Sequence, residues 1–227
     1  AIGGQSLADF NVTTDTDTHN VAVGYATGAA MTTGVLNTLI GGLAGDALTT
    51  ADENVTVGYN SLSTNTKSFY NVAIGSRSLA AHNISSADTA GYNTAVGTAA
   101  GAAITTGINN TLIGGLSGDL MTTGNNNVGV GISSISGGTV TGNDNTGVGS
   151  AAGFALSSGI NNSFFGHDAG RTGSPGGNIT SANNTIVLGD DNVGACHIQT
   201  DWTVASDQRD KTDFTALDLG LDFVKAL

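Results

Sequence analysis

The sequence predicts an all-β chain: a parallel β-roll, or solenoid, of about ten coils of ~17 residues, followed by a short C-terminal strand or helix segment. Three observations predict it. Gly occupies 35 of the 227 positions, Pro only one. A pentapeptide, Asn-x-x-[Val/Ile]-Gly, returns at near-constant spacing along most of the chain. Hydrophobic residues make up 39% of the sequence, although charged residues are only 11% and aromatics 5%.

The glycine content, about twice the usual ~7%, excludes several classes. Collagen needs Gly at every third position with abundant Pro. A helical domain is disfavoured because each interior Gly costs about 1 kcal/mol relative to Ala. The hydrophobic content argues against simple disorder. The net charge is −12, with 18 acidic residues against 6 basic. No nucleic-acid partner is therefore expected, since phosphate binding needs clustered Lys and Arg. No membrane insertion is expected either, because no apolar run approaches the ~20 residues of a spanning helix. Ala1-Ile2-Gly3-Gly4 has neither the basic start nor the apolar core of a secretion signal. The chain opens without Met, which reads as a fragment or processed product. Cys196 stands alone and leaves the redox compartment open.

The repeat begins at Asn20, with Gly24 four places on. It returns at Asn37 and Gly41, Asn54 and Gly58, Asn71 and Gly75, Asn93 and Gly97, Asn110 and Gly114, Asn127 and Gly131, Asn145 and Gly149, and Asn162 and Gly166. An altered tenth copy reads as starting at Asn184. Spacings are 17 or 18 residues except for two of 22, before Asn93 and before Asn184. After each Gly comes a small residue followed by Gly or an aliphatic, as in Ala44-Gly45, Ser61-Leu62 and Ser117-Gly118. A polar turn then closes the repeat, often Thr-Thr-Gly. Residues 1–19 read as a lead-in, 20–190 as the repeat stem, 191–206 as a connector and 207–227 as a separate segment.

Each repeat position has a physical reading. Side chains alternate across a strand, so Val23, Ile40, Val57, Ile74, Val96, Ile113, Val130, Val148 and Phe165 share one face and stack. The opposite face, with Leu39, Leu112, Gly129 and Gly147, is either closely packed or left open. The corner Gly permits a positive φ where a Cβ would clash. Aligned Asn residues suit a hydrogen-bonded ladder between coils about 4.8 Å apart; plain turn propensity is the competing explanation. A 17-residue coil has a thin interior, so association of three rolls is expected to bury a further face and protect strand edges. The two long spacings hold loops, Ala80–Tyr92 and Arg171–Asn183. Recognition commonly sits on loops of a rigid scaffold. His82, Asp88, Arg171 and Asn178 are therefore candidate receptor contacts, with tolerated insertion as the alternative.

The Asn-x-x-[Val/Ile]-Gly-x-x-[Ala/Ser] coil resembles the left-handed β-roll in heads of trimeric autotransporter adhesins. With its Thr-Thr-Gly turns it is also similar to repeats of phage and prophage tail-fibre proteins. The resemblance spans about residues 20–190 and implies a left-handed roll, a parallel homotrimer and an extracellular setting. The coil is longer than is usual in the adhesins.

Composition shifts after Gly189. Ser206-Asp207-Gln208-Arg209-Asp210-Lys211, followed by Gly220-Leu221-Asp222-Phe223-Val224, resembles the start of the endosialidase-type intramolecular chaperone domain of phage fibres and spikes. That resemblance implies chain trimerisation and self-cleavage between Ser206 and Asp207, with Ser206 as nucleophile and Lys211 as its base. A desolvated Lys can serve as such a base. It also implies location in the virion, with a host surface receptor or glycan and other tail proteins as partners. A bacterial surface adhesin is the alternative, and a linker plus helix is the plain reading of the tail.

Other signals carry little. His19, His82, His167 and His197 lack zinc spacing, no Gly-Gly-x-Gly-x-Asp calcium repeats occur, and no carboxylate pair stands apart from the repeat. The sequence thus predicts no metal, no cofactor and no enzymatic activity for the stem.

Overall fold

The computed structural model describes residues 1–11, 17–84 and 89–197 of the chain. The chain divides into two compact units, Ala1–Val193 and Gly194–Leu227. In the second only residues 194–197 are described; they are exposed and include the free Cys196.

The first unit is a parallel β-solenoid. Ten three-residue strands form one sheet in strict sequence order: β1 (Val21–Val23), β2 (Thr38–Ile40), β3 (Val55–Val57), β4 (Val72–Ile74), β5 (Thr94–Val96), β6 (Thr111–Ile113), β7 (Val128–Val130), β8 (Thr146–Val148), β9 (Ser163–Phe165) and β10 (Ile186–Leu188). The described residues contain no helix. Equivalent repeat positions pair directly, Leu39 with Ala22 and Thr56 for example. This register corrects the reading of the tenth copy. Ile186 pairs with Ser163, so Thr185 and not Asn184 stands at the ladder position.

The Asn ladder is present and buried. Asn37, Asn54, Asn71, Asn93, Asn110, Asn127, Asn145 and Asn162 are all inaccessible to solvent or nearly so. One rung shows the pattern. Asn93 Oδ1 accepts from the Asn110 backbone N–H at 3.0 Å and from Asn110 Nδ2 at 3.1 Å. Asn110 Nδ2 also donates to the Gly124 carbonyl across the coil at 2.9 Å. The same bonds recur from Asn20, whose Oδ1 receives Asn37, to Asn162, whose Oδ1 receives the Thr185 N–H. Each buried amide therefore ties one coil to the next, and all but Asn71, whose Nδ2 donates to Ser68 Oγ and the Phe69 carbonyl, also donate across their own coil.

Beside the ladder the backbone is left-handed. The residue before the Asn has positive φ throughout: His19, Leu36, Glu53, Tyr70, Tyr92, Asn109, Asn126, Asp144 and Asn161. For non-glycine residues that conformation costs roughly 1–2 kcal/mol. It is held because N–H groups here donate to the preceding coil, as Asn126 does to Ile108 and Asn161 to Asn143.

The corner glycine is a steric requirement. A Cβ on Gly114, at φ +129°, would stand 2.5 Å from the Gly131 carbonyl oxygen of the next coil. Gly24, Gly41, Gly58, Gly75, Gly97, Gly131 and Gly149 repeat this arrangement, each with positive φ and each facing the backbone of the following corner glycine. Gly166 ends the column with more room, its nearest neighbour being the Gly189 Cα. These glycines thus form a second column beside the Asn ladder, packed backbone on backbone. Beyond the corner each coil turns without forming a second strand. Coil-to-coil bonds continue there, from Gly101 N–H to the Ser117 carbonyl and from Gly118 N–H to Ser134.

The interior faces one side of the strand only. The residue two places after the ladder Asn points inward: Ala22, Leu39, Thr56, Ala73, Ala95, Leu112 and Phe164 are fully buried or nearly so. Inside they meet a row of small residues, Ala44, Ser61, Ser78, Ala100 and Ser117, and a row of large ones, Met31, Leu48, Ile104, Met121 and Leu156. Gly129 and Gly147 belong to this closed face. A Cβ on Gly147 would meet Ile135 at 2.8 Å, so the missing side chains make room for Ile135. The aliphatic row expected to stack is the outward one, with Ile40, Ile74, Ile113, Val148 and Phe165 exposed.

Residues 1–11, read above as a lead-in, are built as part of a further coil. Ile2 bridges to Val23, Leu7 N–H donates to the Thr27 carbonyl, and Leu7 and Phe10 pack on the core. Ile2-Gly3 and Ser6-Leu7 match the repeat at the corner and in its second half.

Breaking one rung tests the ladder. Asn110→Leu strips the partner from the Asn127 N–H and from the Gly124 carbonyl, while the Asn93 side-chain oxygen keeps the backbone N–H of residue 110. At about 1–3 kcal/mol per orphaned group, the loss should be at least about 2 kcal/mol in urea unfolding. Gly115→Ala is the control, because a Cβ there meets nothing within 4 Å. Equal midpoints for the two variants would show that the ladder is dispensable.

Candidate functional site

Among the sequence-derived candidates, the structure brings two together. Arg171 and Asn178, both from the second long loop, line a cavity of about 430 Å³ with Gly137, Phe154, Ala155, Asp168 and Thr172. Arg171 and Phe154 both stand nine residues after a ladder Asn, in neighbouring coils, so the repeat stacks one on the other. The guanidinium carbon lies 4.6 Å from the Phe154 ring centre. Arg171 Nη1 also donates to Asp168 Oδ1 at 2.6 Å. A ring and a carboxylate thus fix a half-buried guanidinium in one place.

The loop that carries Asn178 is anchored at both ends. Ser174 is buried; its Oγ receives the Gly170 N–H and contacts the carbonyls of Arg171 and Gly177. Ile179 turns into the core, and its N–H donates to the Gly170 carbonyl. Thr180 then rejoins the coil stack, accepting from Ser157 N–H. Only the middle of the insertion departs from the coil, and there Thr172 and Asn178 are exposed or partly so.

A charged cluster borders the cavity. His167 Nδ1 lies 3.3 Å from Asp190 Oδ2 and 3.7 Å from Asp168 Oδ2. Hydrogen bonds from the Asn192 side chain and backbone hold the Asp190 carboxyl below its ordinary range, with a smaller contribution from His167. Among the described residues no group of three or more His, Cys, Asp or Glu is placed to hold a metal. No helix among them is long and apolar enough to cross a membrane.

In the first long loop His82 does not match its expectation. His82 is fully buried and is no receptor contact. It stands eleven residues after Asn71, the place held by Leu48 and Ile104 in other coils, which points inward. Ile84 beside it is also buried. His82 Nε2 pairs with the Ser68 hydroxyl at 3.3 Å, and Nδ1 has no hydrogen-bond partner. Burial lowers its pKa to about 4, partly opposed by the Thr105 carbonyl. Asp88, Ser206 and Lys211 lie outside the described residues.

The repeat residues take no part in the cavity. Asn20, Asn37, Asn54, Asn71, Asn93, Asn110, Asn127, Asn145 and Asn162 spend their side chains on the ladder. Gly24, Gly41, Gly58, Gly75, Gly97, Gly114, Gly131, Gly149 and Gly166 are corner positions with no side chain to offer a ligand, and none of them lines the cavity. Their role is confined to the architecture that places Phe154 and Arg171 side by side.

Sequence reasoning missed Phe154, Asp168 and the aromatic group near the first loop. Tyr70 and Tyr92 stack with ring centres 5.2 Å apart, and Phe69 meets Tyr70 edge-on. Both tyrosines immediately precede a ladder Asn, so the repeat aligns them despite the 22-residue spacing. The charge of Glu53, at the same place one coil earlier, raises the Tyr70 hydroxyl pKa. Comparison with family models, with curated proteins and with solved structures finds no match to this chain.

His82 makes the roll acid-labile. Its folded pKa of about 4 lies below the ordinary 6.5. Above pH 6.5 the ring is neutral in both states and does not affect stability. As pH falls from 6.5 towards 4 only the unfolded chain gains the proton, and stability is lost; below about 4 the loss levels off. At 1.36 kcal/mol per pH unit, that gap amounts to about 3 kcal/mol. His82→Leu should flatten this part of the pH profile in urea unfolding. An unchanged slope between pH 6.5 and 4 would refute the assignment.

Proposed function

We propose that this chain is the stem of a homotrimeric host-attachment fibre of a virion, carrying receptor-binding surfaces on a rigid roll. One observation carries the reading: the outward face of the sheet. One and three places after the ladder position, every strand turns Val, Ile, Thr, Ser, Phe or Leu outward, and no strand contains a charged residue. Ile40, Ile74, Ile113 and Phe165 are exposed on that face, and Val21 and Ile186 extend it to the first and last strands.

A continuous exposed apolar stripe calls for a partner. The partner that matches it over its whole length has the same rise per coil, as a second copy does. The net charge of −12 would drive copies apart elsewhere; an uncharged stripe is where they can meet. Three rolls in parallel around this face keep equivalent coils level and satisfy closed symmetry. The extracellular, virion-borne setting rests on the resemblance to tail-fibre repeats and to the chaperone start at Ser206–Lys211. In the complete precursor Lys211 takes the Ser206 hydroxyl proton as that oxygen attacks the carbonyl of the Ser206-Asp207 bond, and passes it to the departing Asp207 amine; water then hydrolyses the Ser206 ester, releasing the stem with a C-terminal carboxylate.

Sedimentation equilibrium of the native particle should give three times the chain mass. Ile74→Glu with Ile113→Glu, which places charges within the stripe, should yield monomer or aggregate. A parent that sediments as a stable monomer would remove the trimer. Cleavage is tested separately by weighing products of the complete gene. The parent should split after Ser206, while Ser206→Ala and Lys211→Ala stay whole. A Lys211→Ala chain that splits normally would exclude the dyad.

A further inference from the structure

We infer that the cavity between Phe154 and Asn178 binds one neutral pyranose unit of a surface glycan. The inference rests on reading the chain as an attachment stem, and names the ligand class and site.

The size suits it: about 430 Å³ lies within the usual range for small-ligand sites. The chemistry narrows the class. Asp168 only accepts hydrogen bonds, Arg171 only donates, and Thr172 and Asn178 do both. A hydroxyl group also donates and accepts, so a ring bearing several hydroxyls can engage all four residues. An apolar ligand would leave these groups unpaired. The Phe154 ring is already occupied, since the Arg171 guanidinium sits over it and a Cβ on Gly137 would touch its edge.

An anion is disfavoured. Among the described residues, the one cation lining the cavity is Arg171, paired with Asp168 at 2.6 Å. His167 connects Asp168 to Asp190, and Asp191 lies against Gly173 of the same loop. A carboxylate or phosphate entering here would meet several carboxylates on a chain of net charge −12.

The site is preorganised. Arg171 is held by ring and carboxylate, and the loop by Ser174 and Ile179, so little ordering cost falls on binding. Its position also fits. Phe154 and Arg171 come nine residues after a ladder Asn, and Ala155 and Thr172 ten. The apolar stripe uses positions one and three, so the site and the association face occupy different parts of the coil.

The test uses the native assembly and saturation-transfer NMR. The probes are methyl α-glucopyranoside, methyl α-galactopyranoside and methyl α-mannopyranoside, with N-acetylneuraminic acid as the anionic comparison. At least one neutral pyranoside should show transfer. Thr172→Trp, which plugs the cavity, and Asn178→Ala should each weaken it at least about fivefold, the loss expected for one hydrogen bond. Neither residue is buried, so thermal unfolding and sedimentation should not change. Absence of transfer from every neutral probe, transfer from the acid alone, or unchanged transfer in both variants would each overturn the site. Failure of the site is distinguishable from failure of the stem. A trimer that adheres to host cells equally well with the cavity plugged keeps the stem and loses this site. A monomeric parent loses the stem reading.

Discussion

The structure depends on a column of buried primary amides. An Asn side chain inside a protein must have its oxygen and both N–H donors satisfied, or it costs more than it contributes. Here nearly every amide spans two coils and one coil diameter at once. That double duty imposes a near-constant coil length, because the carbonyl opposite must arrive at the Nδ2 group on every turn. It also explains why so much left-handed backbone survives next to the column. The residue that leads into each amide is left-handed, and coil-to-coil bonds hold residues such as Leu36 and Asn109 in that state.

The ladder divides the strand into two faces with different fates. The inward residue of each strand packs in a narrow space that tolerates little volume. Large and small residues must therefore complement one another from coil to coil. Phe164 is accommodated because Gly153 and Gly170 lack side chains beside its ring. His82 in the row of Leu48 and Ile104 is the exception, a titratable group where the space calls for a hydrocarbon. The outward residues are left half-buried or exposed by the single roll. Strand propensity favours their β-branched side chains, and a covering partner would give the exposed ones a further reason to be apolar.

The same register organises the surface. Because equivalent positions stack a few ångströms apart, contacts between residues distant in sequence follow from their place in the coil. Phe154 meets Arg171, Tyr70 meets Tyr92 and His167 meets Asp190 for this reason. A solenoid thus builds side-chain clusters in columns, and an insertion such as 171–183 adds reach to one column without disturbing the next. The anchored ends of that insertion, at Ser174 and Ile179, keep it part of the roll.

The sequence by itself determined the β-solenoid, its coil length and its sheet order. Asn and Gly at fixed separation are explained by few other architectures, and the Asn column and Gly corner were legible because each needs one residue type. It did not determine which strand face lies inside. Alternation places Leu39 and Ile40 on opposite faces but does not say which is covered, and the more regular aliphatic row is the outward one. The roles of His82, Phe154 and Asp168 were hidden for a related reason. His82 reads as a loop residue until the coil path turns it inward, and Phe154 acquires its role only when Arg171 stacks over it. Those outcomes depend on where the closed coil places each side chain, which only the tertiary structure decides.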